Sequence, residues 1–206
     1  LDDGSTDIRL CANDGIADEL TFLADNEASE LLYLFIVTDE ENNVLSTSNS
    51  GIIDFEGAPA GICHVWGLSY SGTLMLEPGD NITEIELSDE CFDLSDNFVT
   101  VTRLHVEGGT VSLADGSTET VVCQGDDASD VLTFESQGAG TTGSFIFVVT
   151  DDNNIILSTS EDGVIDFSEA PEGICRVWGL NYTGNLLAQP GDNAAEIALS
   201  DECFDL

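Results

Sequence analysis

The chain has 206 residues, 42% of them hydrophobic, and this apolar content excludes a disordered chain because it is enough to build a packed core. It carries 41 acidic residues against three arginines and no lysine, which gives a formal net charge of −38. Such a surface excludes nucleic acid as a partner, since neutralising phosphates requires basic residues, and the longest apolar run, Leu31–Val37, is too short for membrane insertion as a helix.

The predicted elements are short strands, because helical periodicity is nearly absent. Runs rich in Val, Ile, Thr, Phe and Leu are interrupted by Gly, Asn, Asp and Pro every few residues, a pattern typical of a β-sandwich. In the second half of the chain, the pattern predicts strands near Thr110–Leu113, Thr120–Cys123, Val131–Glu135, Phe145–Thr150, Ile155–Ser158, Val164–Phe167, Ile174–Leu180, Asn185–Ala188 and Glu196–Leu199.

The chain is also an internal repeat with a period of 112 residues. Residues 1–94 align with residues 113–206 without a gap, and 50 of these 94 pairs are identical. The most similar stretches are "GICHVWGLSY" and "GICRVWGLNY", which begin at Gly61 and Gly173, and "LSDECFDL", which begins at Leu87 and Leu199. Self-similarity of this kind indicates two copies of one structural unit.

The first and last residues of the chain fall inside repeat units and not at the boundaries between them. Residues 95–112 occur once: "NFVTVTR" (Asn97–Arg103) reads as the last strand of the first unit, and "GGTVSL" (Gly108–Leu113) as the first strand of the second. We therefore predict one unit at 1–104 that lacks its first strand and another at 105–206 that lacks its last. Either the chain is a window on a longer tandem array, which we favour, or neighbouring chains supply the missing strands.

Several motifs together resemble a known family. The string "VTD..N.IL", "IDF..AP.GICRVWGL", "GDN" and "LSDECFDLS.NFVTV.R" resembles a tandem repeat of very large secreted cell-surface proteins of Bacteroidota, of the adhesin or filament type. The resemblance covers nearly the whole chain. It implies two tandem Ig-like antiparallel β-sandwich repeats, exported to the cell surface, and it implies no particular ligand.

The six cysteines follow the period of the repeat, which favours disulfides and an oxidising, extracellular compartment. If the topology is Ig-like, Cys11 and Cys63 lie at the same end of the sandwich, and we expect the pairs Cys11–Cys63 and Cys123–Cys175. Cys91 and Cys203 then remain for a bond between units or stay free. A Cys63–Cys91 bond is the main alternative.

Acidic side chains that recur in both units are candidate calcium ligands, since calcium takes six to eight oxygen ligands. None of them matches an EF-hand loop, and each could equally be a turn residue that bonds its own backbone. The candidates are Asp14, Asp18, Asp39 and Asp80 in the first unit and Asp126, Asp130, Asp151 and Asp192 in the second.

The sequence contains no constellation that indicates catalysis, since neither histidine recurs and no nucleophile or phosphate-loop motif is found. We expect a structural or adhesive segment of an extracellular fibre or surface adhesin, whose partners are neighbouring copies of the same repeat. The alternative is a calcium- or carbohydrate-binding module, in which Trp66 and Trp178 would stack on surface glycans.

Overall fold

The structure is a computed structural model that describes residues 1, 3–12, 14–24, 31–123, 129–170 and 172–206. Within these residues it contains strands and no helix, and nearly all strand pairs are antiparallel, which confirms the predicted all-β class. None of the described segments forms a helix of the length and apolar character needed to span a membrane. The chain divides into two compact units, Leu1–Leu104 and His105–Leu206.

Unit 1 is built from a large sheet and a two-stranded sheet. The large sheet has the order β1-β7-β6-β3-β4, and β2 pairs with β5. Strands β1 and β7 are parallel, whereas the other neighbours are antiparallel. The strands described are β1 (Asp7–Cys11), β2 (Glu19–Thr21), β3 (Leu32–Thr38), β4 (Val44–Ser48), β5 (Ile52–Asp54), β6 (Gly61–Tyr70) and β7 (Phe92–Leu104).

The large sheet of unit 1 is covered on both faces, because side chains alternate along each strand. On one face, Cys63 and Val65 of β6 join a core of Phe22, Phe35, Val37, Phe55 and Val101. On the other face, the connection between β6 and β7 folds back and buries Ile82 and Leu87 against a second cluster, which also contains Leu34, Ile36, Val44 and Leu68. The sheet is therefore buried on both sides although it is largely antiparallel.

Unit 2 contains strands equivalent to several strands of unit 1, but they are arranged in two sheets of different strand order. Its sheets have the orders β11-β10-β13-β14 and β12-β9-β8. The strands described are β8 (Thr110–Leu113), β9 (Val131–Gln137), β10 (Ser144–Thr150), β11 (Ile156–Ser160), β12 (Val164–Asp166), β13 (Arg176–Tyr182) and β14 (Phe204–Asp205). Strands β10, β11 and β12 lie 112 residues after β3, β4 and β5, so the repeat of the sequence is a repeat of structure.

Three of the predicted strands are wrong. Residues Asn185–Ala188 and Glu196–Leu199 form no strand. They are joined by main-chain hydrogen bonds from Leu187 and Ala188 to Leu199, and they bury Ala188 and Leu199 against the sheet instead of extending it. Residues Thr120–Cys123 form no strand either, although the equivalent residues of unit 1 form β1. Strand β1 has only β7 as its neighbour, so its formation depends on a partner that this part of unit 2 does not have.

The predicted disulfides Cys11–Cys63 and Cys123–Cys175 are wrong. Cys11 and Cys203 are the disulfide-bonded cysteines, and Cys63, Cys91, Cys123 and Cys175 are free thiols, which also excludes a Cys63–Cys91 bond. Strand β7 separates Cys11 on β1 from Cys63 on β6. Two strand spacings amount to about 10 Å, whereas a disulfide needs Cα atoms within about 7 Å.

Candidate functional site

The two units differ most at β7, the strand that completes unit 1. It pairs with β1 from Asp7↔Thr100 to Cys11↔Leu104 and with β6 from Gly61↔Arg103 to Tyr70↔Phe92. Val101 of β7 is fully buried in the core of the unit. Strand β7 therefore supplies both the hydrogen-bonding partner of two other strands and a central part of the core.

Arg103, near the end of β7, has the most deeply buried charge in unit 1. Its guanidinium Nη2 donates to Oδ2 of Asp18 at 3.1 Å and to the carbonyl oxygen of Glu56 at 3.2 Å, and Oε2 of Glu56 lies 3.8 Å away. Arg103 is 2% exposed and Asp18 is 8% exposed. A buried charge of this kind is tolerated only when it is paired, so Asp18 and Arg103 depend on each other.

In unit 2 the counterpart of β7 is β14, which pairs with β13 only at Asn181↔Asp205 and Tyr182↔Phe204. The residues of β7 from Ser95 onward have no equivalents among the 206 residues, because adding the period of 112 to their numbers gives positions after Leu206. Residues 61–63 of β6 pair with β7 alone, since β3 reaches only as far as His64. The equivalent residues 173–175 accordingly lie outside any strand, and β13 begins at Arg176.

A groove occupies the place in unit 2 that β7 fills in unit 1. It has a volume of about 1120 Å³. Its walls carry apolar side chains that are only partly buried or exposed, among them Val121, Phe134, Phe167, Ile174, Cys175 and Val177. The equivalents of four of these residues, Phe22, Phe55, Cys63 and Val65, belong to the buried core of unit 1. We call this surface of unit 2 the β13 groove.

Asp130 lines the β13 groove and is the equivalent of Asp18. It is 7% exposed, about as deeply buried as Asp18. No ion pair with Asp130 is found within the described part of the chain, whereas Asp18 is paired with Arg103. The groove therefore combines an apolar surface with a buried carboxylate that lacks the cation found in unit 1.

Asp18 and Asp130 are among the predicted calcium ligands, and the role of Asp18 as the counter-ion of Arg103 is not predicted from the sequence. One signal was available. Arg103 is one of three basic residues in the chain, and it lies in the segment that occurs only once. A lone arginine in an apolar strand requires an acidic partner, but the sequence does not say which of 41 acidic residues it is.

Five other calcium candidates are engaged in turns. Each carboxylate accepts a hydrogen bond from a main-chain N–H: Asp14 from Ile16 at 2.8 Å, Asp39 from Asn43 at 2.8 Å, Asp80 from Glu77 at 2.8 Å, Asp151 from Ile155 at 2.8 Å and Asp192 from Gln189 at 3.0 Å. Asp126 lies outside the described residues. Among those described, no three His, Cys, Asp or Glu side chains are grouped to hold a metal ion, and calcium binding stays a prediction.

The turn hydrogen bonds also favour the ionised carboxylates. The side-chain amide of Asn43, followed by backbone N–H groups, lowers the pKa of Asp39 below its ordinary value. In unit 2 the backbone N–H of Ile155 is the main cause that lowers the pKa of Asp151. Hydrogen bonds to the charged form act in this direction. These carboxylates are therefore used to fix their own turns.

The repeated "PGDN" motif joins two loops in the same way in both units. In unit 1, the N–H of Val44 donates to the carbonyl of Asp80 at 2.8 Å, and the N–H of Gly79 donates back to the carbonyl of Val44 at 2.8 Å. The bonds from Ile156 to Asp192 and from Gly191 to Ile156 repeat this in unit 2, also at 2.8 Å. The motif recurs because it holds a loop against the sheet.

The repeated "LSDECFDL" motif has a similar structural role. Oδ1 of Asp89 accepts a hydrogen bond from the N–H of Thr73 at 2.6 Å, and Oδ1 of Asp201 accepts one from the N–H of Asn185 at 2.6 Å. The motif therefore ties down the loop that follows β6 in unit 1 and the one that follows β13 in unit 2. Its conserved acidic residue is committed to the backbone in each unit.

Both tryptophans, the candidate glycan platforms, are partly buried against their own sheets. The indole N–H of Trp66 donates to the hydroxyl of Thr38 at 3.2 Å, and that of Trp178 donates to Thr150 at 3.0 Å. The ring of Phe98, on β7, lies 4.6 Å from the ring of Trp66. The position equivalent to Phe98 falls after residue 206, so the structure describes no such neighbour for Trp178.

Comparisons with protein-family models, with curated proteins and with solved structures found no match to this chain.

Proposed function

We propose that the chain is a non-catalytic segment of an extracellular fibre or cell-surface adhesin, built from tandem Ig-like β-sandwich repeats. Its function is reach, stiffness and presentation, and its partners are neighbouring units of the same repeat. The high negative charge suits a salty medium, because ions screen the self-repulsion of a surface with a net charge of −38. The disulfide-bonded cysteines, Cys11 and Cys203, are compatible with an oxidising compartment.

One observation carries the proposal. The acidic side chains that recur in the loops of both units accept hydrogen bonds from main-chain N–H groups of their own unit. Asp80 and Asp192 hold the "PGDN" loops, and Asp89 and Asp201 hold the loops after β6 and β13. A ligand-binding module would be expected to keep loop groups that point toward a ligand, whereas a spacer keeps the groups that hold its shape.

The proposal is tested on intact cells of the source organism. Antibodies raised against the 206-residue chain should label cells that have not been permeabilised, and their monovalent fragments should reduce attachment of these cells to a surface. Fragments from non-immune serum serve as the control. Labelling that requires permeabilisation would contradict an exported segment. Surface labelling without any effect on attachment would leave the structural role and remove the adhesive one.

A further inference from the structure

We propose that the two "PGDN" loops, residues 78–81 and 190–193, are edge caps: intramolecular contacts that prevent copies of this repeat from pairing laterally through their sheet edges. The loops cover β4 in unit 1 and β11 in unit 2, which are outermost strands of their sheets. The caps themselves rest on the geometry of each unit alone. Their importance in a dense array, where identical edges meet at high local concentration, rests on the proposed function.

Both edge strands have sequences that allow pairing with another strand. Strands β4, VLSTS, and β11, ILSTS, contain neither lysine nor proline, the residues that commonly protect exposed edges. Residues 42–53 include no charged residue, although the chain carries 41 acidic residues. The side chains of Ser46 and Thr47 are exposed. Without other protection, an edge of this kind is a template for a strand of another molecule.

In unit 1 the cap occupies the first part of the outer edge of β4 with main-chain hydrogen bonds. Val44 donates its N–H to the carbonyl of Asp80 and accepts a hydrogen bond from the N–H of Gly79, both at 2.8 Å. An isolated antiparallel bridge between Asn43 and Asn81 extends this contact. The loop therefore pairs with the edge much as an additional strand would, and it uses the main-chain groups that a second copy would need.

The same cap covers β11 in unit 2. Ile156 donates its N–H to the carbonyl of Asp192 and accepts a hydrogen bond from the N–H of Gly191, both at 2.8 Å. The bridge between Ile155 and Asn193 repeats the one in unit 1. The capped residue is a valine in one unit and an isoleucine in the other, but its main-chain groups are paired in the same way. The feature that the two units share is thus the covered edge.

A β-bulge next to the cap shortens the edge further. The register of β4 against β3 shifts between Val44 and Ser46, so that Leu45 is an extra residue. Leu157 is the extra residue of β11 in the same way. Bulges interrupt regular pairing at the edges of sheets. Cap and bulge together shorten the regular edge of β4 to residues 46–48, and opening the cap would lengthen it again.

The cap can be opened at a glycine without changing the sheet. Gly79 and Gly191 have φ angles of +94° and +98°, and an added Cβ at either position has no described atom within 4 Å. Gly79→Ala and Gly191→Ala therefore strain the loop without a clash. Gly116→Ala is the matched control, because its φ is +84° and its surroundings are equally open. Asp80→Ala opens the cap by a second route, since it removes the acceptor of the Glu77 N–H at 2.8 Å.

Hydrogen exchange shows whether the cap is open, and sedimentation shows the consequence. The amide of Val44 is bonded to the loop, so its exchange should accelerate about tenfold in Gly79→Ala, given the strain of a left-handed alanine. In about 1 M NaCl, where the screening length is about 3 Å, the native chain and Gly116→Ala should remain monomeric. Each variant with one open cap should form dimers, and Gly79→Ala combined with Gly191→Ala should form longer oligomers, because it has two open edges.

The association should also be located at the edges. In dimers of Gly79→Ala, hydrogen exchange should slow at residues 46–48, and in dimers of Gly191→Ala at residues 158–160. Gly79→Ala should associate more strongly of the two. Two acidic residues follow β11 directly, whereas the residues after β4 carry no charge as far as Ile53, and charges at an edge oppose pairing with a second copy.

Three outcomes would overturn the inference. The first is a native chain that already associates through β4, which would show that the loop does not block the edge. The second is faster exchange of the Val44 amide in a chain that stays monomeric, which would leave the loop a purely structural role. The third is association that slows exchange only outside β4 and β11. None of these results bears on surface labelling, so failure of the edge cap and failure of the proposed function are distinguishable.

Discussion

Equivalent side chains are buried to different depths in the two units. Phe22, Phe55, Cys63 and Val65 belong to the buried core of unit 1, whereas Phe134, Phe167, Cys175 and Val177 are only partly buried in unit 2. The residue types are the same at all four positions, so the difference cannot come from these side chains. In unit 1 these side chains pack beside β7, whereas in unit 2 the 206 residues include only a short counterpart of that strand, β14. One strand thus decides whether a set of apolar residues forms a core or the wall of a groove.

The largest effect is expected from breaking the buried ion pair of unit 1. Arg103→Met leaves Asp18 buried without a cation and should lower the free energy of unfolding of unit 1 by about 3–5 kcal/mol. The double variant with Asp18→Leu should recover most of this loss. Urea unfolding can be followed by the fluorescence of Trp66 in a Trp178→Phe background, and a loss below about 1 kcal/mol in the single variant would contradict the role given to the pair.

The comparison is sharpened by truncating one aromatic residue in each unit. Phe55→Ala should cost about 3–5 kcal/mol, as for a buried phenylalanine. Phe167→Ala should cost less, because its side chain is already partly exposed in the groove. Fluorescence of Trp66 and of Trp178, each in a background in which the other is phenylalanine, reports the two units separately. Equal losses in the two units would show that the groove is not open.

Thiol labelling tests the same comparison without changing the core. Burial raises the pKa of the Cys63 thiol and also that of Cys175, but Cys63 is the more deeply buried of the two. We expect the exposed Cys91 and Cys123 to react first with a maleimide, Cys175 next, and Cys63 only when unit 1 opens. Peptide mass spectrometry gives the four rates, and labelling of Cys63 before Cys175 would reverse the assignment of the two environments.

The smallest effect concerns pH, at a feature that the two units share. The pKa of Asp39 is below its ordinary value of 3.8 because the folded state bonds its carboxylate. The stabilisation is therefore present above pH 3.8 and is lost as the pH falls through the lower folded value. The difference in stability between the native chain and Asp39→Asn should shrink over that interval, and Asp151→Asn should behave alike. A difference that grows in acid would contradict the hydrogen bonds assigned to these turns.

The repeat made the regular part of the fold predictable from sequence. Strands β10 and β11 follow from apolar runs bounded by turn residues, and their equivalents β3 and β4 follow from the period. The segment at Thr120–Cys123 has the composition of a strand, and the structure shows none there. A strand forms only with a neighbour, and the part of β7 that pairs with β1 has no equivalent among the 206 residues. Local propensity carries no information about that neighbour.

The candidate site was less predictable because it depends on contacts between distant residues. Asp18 and Arg103 are 85 residues apart in the chain, and nothing in the local sequence distinguishes Asp18 from the other acidic residues. The turn roles of Asp39, Asp80, Asp151 and Asp192 could be expected from their neighbouring Asn and Gly residues, and this alternative to calcium was visible in the sequence. The groove beside β13 can be recognised only from the structure, which shows that the equivalent strand β6 is paired with β7.

The most direct test of the central difference is hydrogen exchange of the 206-residue chain. Residues 61–63 are paired with β7 in unit 1, and residues 173–175 lie outside any strand in unit 2. Their sequences, Gly-Ile-Cys, are identical, so intrinsic exchange rates nearly cancel. Since N–H groups of an antiparallel strand point alternately to its two sides, one of the two amides of Ile62 and Cys63 donates to β7. We predict strong protection of that amide and fast exchange of its equivalent among Ile174 and Cys175. Equal protection of the two segments would contradict an open groove in unit 2.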